Sequence, residues 1–224
     1  MNTKPILHRD DPQAEPLVGN VKVTRDDWLN VAMDVLISDG VDQIKVLNLA
    51  ERMAVSRSSF YWYFKSRQEL LDALLARWQA TNTAALIKQA EIPAKTITAA
   101  VCNVHRCVVN TALFDTALDF AVRDWARKSG KVRRVLDQSD AKRLAALHAM
   151  FARYGYSEVE AETRARVLYY MQIGYDLAQL NEPMDTRISM VPHYLYVFTG
   201  VDPKPEEVEE FSAYSQRYWR GDTP

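Results

Sequence analysis

Apolar residues recur along most of the chain at the three-and-four spacing of a helix buried on one side, and polar caps punctuate them. "TRDD" at 24–27 reads as an N-cap followed by an acid three positions on. Leu29, Ala32, Met33 and Leu36 then form an apolar stripe, and "SDG" at 38–40 ends this helix at Gly40. A short second helix covers "VLNLAERMA", with Leu49, Ala50 and Met53 turned inward. Ser56 caps a third, "RSSFYWYF". "SRQE" at 66–69 is a second capping box, opening the long helix "RQELLDALLARWQATNTAALIKQA" that Pro93 stops.

Beyond Pro93 the pattern continues through "TITAAVCNVHRCVVNTAL" and "FDTALDFAVRDWARKSG", the latter closed by Gly130. "KVRRVLDQSDAKRLAALHAMFARYG" ends at Gly155, with "DQSD" a candidate break. "SEVE" caps a long helix running to about Leu180, "RISMVPHYLYVFTG" is strained by Pro192, and "PEEVEEFSAYSQRYW" closes the pattern with acids at its positive end. No segment alternates at period two long enough for a strand. The fold class predicted is all-α: three short helices within about 45 residues, the second and third joined by a tight turn that suggests a helix-turn-helix, followed by further, longer helices.

Composition adds little to this and removes several classes. Hydrophobics at 48% and charged residues at 25% are those of a soluble globular protein. No apolar run approaches the roughly 18–20 residues of a membrane span, and the first residues lack a signal-peptide layout, so a cytoplasmic protein with no membrane partner is expected. Residues 1–22, with prolines at 5, 12 and 16, read as a flexible arm. Cys102 and Cys107 stand about 140° apart on a helix, poor geometry for a disulfide. Buried thiols are expected, with a redox sensor as the alternative. His148 and His193 lie away from acidic or cysteine clusters, so neither metal nor cofactor is expected. The absence of a nucleophile elbow, phosphate loop, HExxH or dinucleotide fingerprint argues against an enzyme.

Net charge is −1, yet Lys45, Arg52, Arg57, Lys65 and Arg67 face a single acid, Glu51, between 45 and 67. A local positive excess beside hydroxyls and aromatics suits a phosphate-contacting surface. Within it lies "SRSSFYWYFKSR", five consecutive aromatics. On an ideal helix Phe60 and Phe64 share the inward face, while Trp62 lies roughly 160° away from both. Ser58 and Ser59 flank Trp62, and Arg57, Tyr61 and Tyr63 take the shoulders. An outward indole with hydroxyls meets thymine methyls and base edges, while tyrosine and basic groups reach phosphates. The competing reading is a helical protein-interaction module that uses the aromatic helix 57–64.

"LAERMAVSRSSFYWYFKSRQELLDALL" resembles the DNA-binding signature of the TetR family of transcriptional regulators, over about Thr24 to Leu75. The remainder is similar only in architecture, as in "DFAVRDWARKSGKVRRVL". The resemblance implies a helix-turn-helix domain at 23–67 and a ligand-binding and dimerisation domain at 68–224. It places Ser56 at the start of the recognition helix, and Arg57, Ser58, Ser59 and Trp62 at base-reading positions. Tyr61 would contact a phosphate, Tyr63 would lie near the DNA backbone, and Arg67 stands where a phosphate-binding lysine is common. Lys45 and Lys65 complete the DNA-binding set. Lys45 departs from the hydroxyl residue usual there, Leu47 from a basic one, and Ala54 from the usual turn glycine, at about 1 kcal/mol for a left-handed residue.

The resemblance also implies a homodimer on a palindromic operator, built through a four-helix bundle of the last two long helices. Ala165, Leu168, Tyr169, Ile173 and Leu177, with Tyr194 and Phe198, are its expected interface. A small-molecule pocket is implied as well, communicating with the DNA head through the fourth helix. Its expected lining is Trp78, Asn82, His105, Phe114, Trp125, Met171 and Tyr175. Release from a double-stranded DNA operator by an unknown effector, with repression as the family's default, is the function implied.

Overall fold

The computed structural model describes residues 23–178, 180 and 182–218, so the expected arm at 1–22 lies outside the described residues. Among them the regular structure is helical throughout, with no strand. The order is α1 (Arg25–Asp39), α2 (Val46–Met53), α3 (Arg57–Phe60), α4 (Arg67–Trp78), a π-helical stretch Gln79–Thr83, and α5 (Ala84–Glu91). Then come α6 (Ile97–Val109), α7 (Thr116–Lys128), α8 (Gly130–Arg153), α9 (Glu158–Ala178), α10 (Met184–Thr199) and α11 (Pro205–Tyr218).

The caps act much as their sequences predict. Thr24 and Asp27 satisfy each other's backbone amides in a reciprocal box, and Ser157 and Glu160 do the same before α9. At α4 the box is displaced: Ser66 accepts from the Glu69 amide, but the Glu69 carboxylate takes the Lys65 amide at 2.7 Å. Gly40 ends α1 at a positive φ of 81°, where a side chain would be strained. Ala54 ends α2 in the left-handed region at φ 51°, the one described non-glycine residue with positive φ. Gly130 does not close α7. Ser129 caps α8 instead, accepting from the Val132 amide, and Gly130 is its first residue. No break occurs at "DQSD", because α8 runs unbroken through it.

Two apolar cores result. The first is built by α1 to α4 together with α7 and the start of α8, around Trp28, Leu49, Met53, Phe60, Phe64 and Trp78. It crosses the boundary expected at residue 67, since Leu118, Val122, Trp125, Val132 and Leu136 belong to it. Helix α1 is buried on several sides, with Trp28, Val31 and Val35 joining the predicted stripe, because it packs on both α4 and α7. Met33, expected inward, is only partly buried. The second core joins α5, α6, α8, α9, α10 and α11 around Phe151, Tyr169, Phe198 and Phe211. Across the junction runs the continuous rod α4, π stretch and α5.

Candidate functional sites

The aromatic run is shorter as a helix than its sequence suggests. After one α-turn at Arg57–Phe60, the amides of Tyr61, Trp62 and Tyr63 donate to carbonyls three residues back, at 3.2, 3.4 and 3.0 Å. This tighter winding brings positions i and i+3 onto one face. Phe60 and Phe64 still point inward, fully buried and stacked 5.4 Å apart, with Trp28 edge-on to Phe60 at 5.2 Å. Tyr63 is carried to the same side as Phe60. It packs against the first core and its hydroxyl donates to the Val23 carbonyl at 2.5 Å. Tyr63 thus anchors the entry to α1 and stays only partly buried.

Trp62 is 83% exposed and Tyr61 51%. Arg57, Ser58, Ser56, Lys45 and Lys65 are exposed beside them. Arg57 reaches back to the Tyr61 hydroxyl at 3.4 Å. Ser56 holds the N-cap position without a side-chain cap bond, its hydroxyl lying 2.9 Å from that of Ser58. Ser59 donates its hydroxyl to the Ser56 carbonyl at 2.7 Å, which leaves it oxygen lone pairs but no free proton. Leu47 is also exposed, at 55%.

Two of the basic residues are engaged elsewhere. The Arg67 guanidinium donates to the carbonyls of Ile44 and Val41, pinning the turn between α1 and α2, while the residue stays exposed. Arg52 pairs with Asp39 at 2.5 Å. Arg67 keeps its charge, since its partners are neutral carbonyls, so Lys45, Arg57, Lys65 and Arg67 carry the positive character of this stretch.

A second constellation surrounds the π stretch. Arg143 is fully buried on the apolar stripe of α8, in register with Leu136, Leu147 and Met150. It donates to Asp119 at 2.8 Å, to the Thr83 hydroxyl at 3.1 Å and to the Tyr169 hydroxyl at 3.3 Å. Arg123 holds the other Asp119 oxygen at 2.9 Å and grips both oxygens of Asp140. The Trp78 indole donates to Asp119 at 2.9 Å. Asn82 brackets the Asp115 backbone, donating to its carbonyl and accepting from its amide, and Gln79 reaches the Ser139 hydroxyl. The rod between the two cores is thus tied to α7 and α8 by four polar side chains in succession. The arginines hold the Asp119 carboxyl below the ordinary carboxylate range despite its burial. Burial pushes the Tyr169 hydroxyl well up, although the arginines oppose it.

This network forms one wall of a cavity of about 40 Å³, room for a few water molecules as it stands. Of the residues expected to line a pocket, His105 and Phe114 do so. Trp78 and Asn82 lie behind the wall, through Asp119 and Asp115. Trp125 belongs to the first core, Met171 packs on the second, and the Tyr175 hydroxyl bonds Glu182; none of these three lines the cavity. Sequence reading missed Asp119, Arg123, Arg143, Gln172 and Asp176, all of which do. One available signal was an arginine at a heptad-like position of an otherwise apolar stripe.

The expected dimer face is also redrawn. Ala165, Leu168, Tyr169 and Phe198 are buried inside the subunit, and Ile173 lines its cavity. Leu177 and Tyr194 are exposed as a surface contact requires, beside Val167 and Tyr170 on α9 and Met190 and Val197 on α10. Among the described residues no three His, Cys, Asp or Glu side chains converge as a metal site would need, and no helix is long and apolar enough to cross a membrane. His148 is not remote from acids, lying 3.3 Å from Glu158.

Residues 29–74, the stretch from α1 to α4, match the family model for bacterial regulatory proteins of the tetR family. That segment, and not the whole chain, carries the TetR-type signature. It is 39% identical over 54 residues to the class A tetracycline repressor protein from transposon 1721 of Escherichia coli, covering 24% of this chain and 25% of that one. It is 30% identical over 66 residues to the HTH-type transcriptional regulator TtgW of Pseudomonas putida, covering 30% and 49%. The TetR-family likeness in sequence thus spans half or less of each relative. The overall fold extends further: a Rhodococcus transcriptional regulator superposes with a TM-score of 0.56 at 18% identity, over 88% of this chain and 96% of that one. Salmonella enterica GusR does so at 0.55 and 14%, over 88% and 95%.

Proposed function

We propose that this chain is a ligand-responsive transcriptional repressor of the TetR type that binds a palindromic operator as a homodimer and is released by a small-molecule effector. The observation that carries the DNA reading is the outward Trp62, held by the buried Phe60 and Phe64 in a stretch whose exposed cations include Lys45, Arg57 and Lys65. An exposed indole there costs solubility unless something covers it. A DNA major groove offers it thymine methyls, while Tyr61 and the three cations reach phosphates on either side.

The apolar stripes support the homodimer. Val167, Tyr170, Gly174 and Leu177 on α9, and Met190, Tyr194 and Val197 on α10, repeat at three-and-four spacing on outward faces. Gly174 has open space where a Cβ would stand, which admits a close partner helix. Two-fold symmetry then implies half-sites about 34 Å apart or a multiple of that. The links of Trp78, Gln79, Asn82 and Thr83 to α7 and α8 support effector release. A ligand favouring a different packing of the cavity wall shifts the rod, and with it the heads, by its differential affinity.

Gel-shift titrations over a range of salt test this reading. Affinity should fall steeply with salt and favour one palindrome. Trp62→Ala should relax sequence preference by about 1–3 kcal/mol. Lys65→Ala should weaken all sequences alike and reduce the salt slope by about one. Salt-insensitive or sequence-blind binding by the intact protein would refute it and favour a protein-interaction helix.

A further inference from the structure

We propose that the cavity between α6, α7, α8 and α9 takes a protonated amine carried on an apolar body, with its N–H donors directed to Asp176 and to His105. This rests on reading the cavity as the effector site.

The polar groups of the wall divide sharply by what they still lack. Both arginines are already engaged: Arg143 by Asp119, Thr83 and Tyr169, and Arg123 by Asp119, Asp140 and Tyr169. An anionic ligand would have to displace two carboxylates from bidentate or buried pairs, which is costly. The acceptors are less satisfied. Asp176, half-buried on α9, has one hydrogen bond among the described residues, from the neutral Gln172 amide at 2.9 Å. Arg123 and Arg187 act on it only from a distance, and Asp119 opposes them. Burial outweighs these influences and pushes its carboxyl up to about 6. His105 points Nδ1 at the Val101 carbonyl at 3.0 Å, which fixes the proton there and leaves Nε2 an acceptor. Burial lowers its pKa, so it stays neutral.

Apart from Thr116, the rest of the lining is apolar, including Leu86, Val104, Phe114 and Leu168. A donor-rich cation on a hydrophobic body complements Asp176, the His105 acceptor and the apolar lining, whereas a neutral or anionic head leaves Asp176 without a counter-charge. The present volume admits only water, so occupancy must spread the wall. That wall includes Asp119, which holds Trp78 of the rod.

Isothermal titration of the full chain with three probes sharing one body tests the inference: 4-phenylbutylamine, 4-phenylbutan-1-ol and 4-phenylbutyrate, near neutral pH. The amine should bind about tenfold or more tighter than the alcohol, and the carboxylate weakest. Asp176→Asn should abolish the amine's advantage over the alcohol, with unchanged circular dichroism and thermal unfolding showing that the variant is folded. Amine affinity should rise as pH climbs through about 6, where Asp176 ionises, since an alkylamine stays protonated to about pH 10; in Asp176→Asn that rise should vanish. Equal or tighter binding of the carboxylate, no binding of any probe, or an unchanged preference in the variant would overturn it. If the amine binds as expected but operator affinity is unmoved, the amine site stands and the effector reading fails.

Discussion

Replacing Asp119 by Asn probes the joint between the two cores. Its carboxylate is 6% exposed at the residue level and receives Trp78 and Arg143 on one oxygen and Arg123 on the other. In the variant, Arg123 retains Asp140. Arg143, fully buried, keeps only the Thr83 and Tyr169 hydroxyls and the faces of Trp78 and Phe114, 5.0 and 5.2 Å from its guanidinium carbon. Breaking a buried pair from one side costs about 3–5 kcal/mol. The Asn carbonyl still accepts one hydrogen bond, which places the expected loss near ~3 kcal/mol. At about 2–4 °C per kcal/mol for a chain of this size, Tm should fall by roughly 6–12 °C. Differential scanning calorimetry at fixed protein concentration measures it, because the melting of any self-associating chain depends on concentration. The folded-state pKa of Asp119 is depressed, so its contribution is complete above the unfolded value of about 3.9 and is lost as pH falls through the folded one. The gap between wild type and variant should therefore be full at neutral pH and narrow only in strong acid. A variant within about 1 kcal/mol of wild type at neutral pH would refute the reasoning, since Arg143 would then have found another counter-charge or water.

Val197→Asp places a charge on an exposed apolar stripe, and sedimentation should show monomer with helix content unchanged; a retained dimer would move the interface elsewhere. Ala54→Gly relieves the left-handed cap of α2 and should stabilise by somewhat under about 1 kcal/mol in urea melts, the strain relief exceeding glycine's added unfolded-state freedom. Cys102 and Cys107 are buried with thiols pushed up to about 12, so native protein should resist iodoacetamide at pH about 8 and react only when unfolded. Rapid native alkylation would reopen the redox reading.

The sequence by itself determined every helix that a cap and a stripe define together. Thr24, Ser66 and Ser157 mark starts, Gly40 an end, and the i, i+4 pair Phe60 and Phe64 the inward face of α3. It also determined that Trp62 points outward, because helical phase is a local property. Phase fails where winding changes. Tyr63 turned inward because the chain tightened after Phe60, and Arg67 became a loop anchor because two carbonyls happened to face it.

Only the tertiary structure decided which of two apolar faces on α9 meets the subunit's own core and which meets solvent. A helix apolar on both sides reads the same from either, so Leu168, expected at the dimer face, is buried in the subunit while its neighbour Val167 is exposed. The charged wall of the cavity was decided there too. Asp119, Arg123, Asp140, Arg143 and Tyr169 come from three successive helices, and their contacts span up to 46 residues. Their burial is tolerable only because each finds the others, and such mutual satisfaction exists in three dimensions alone.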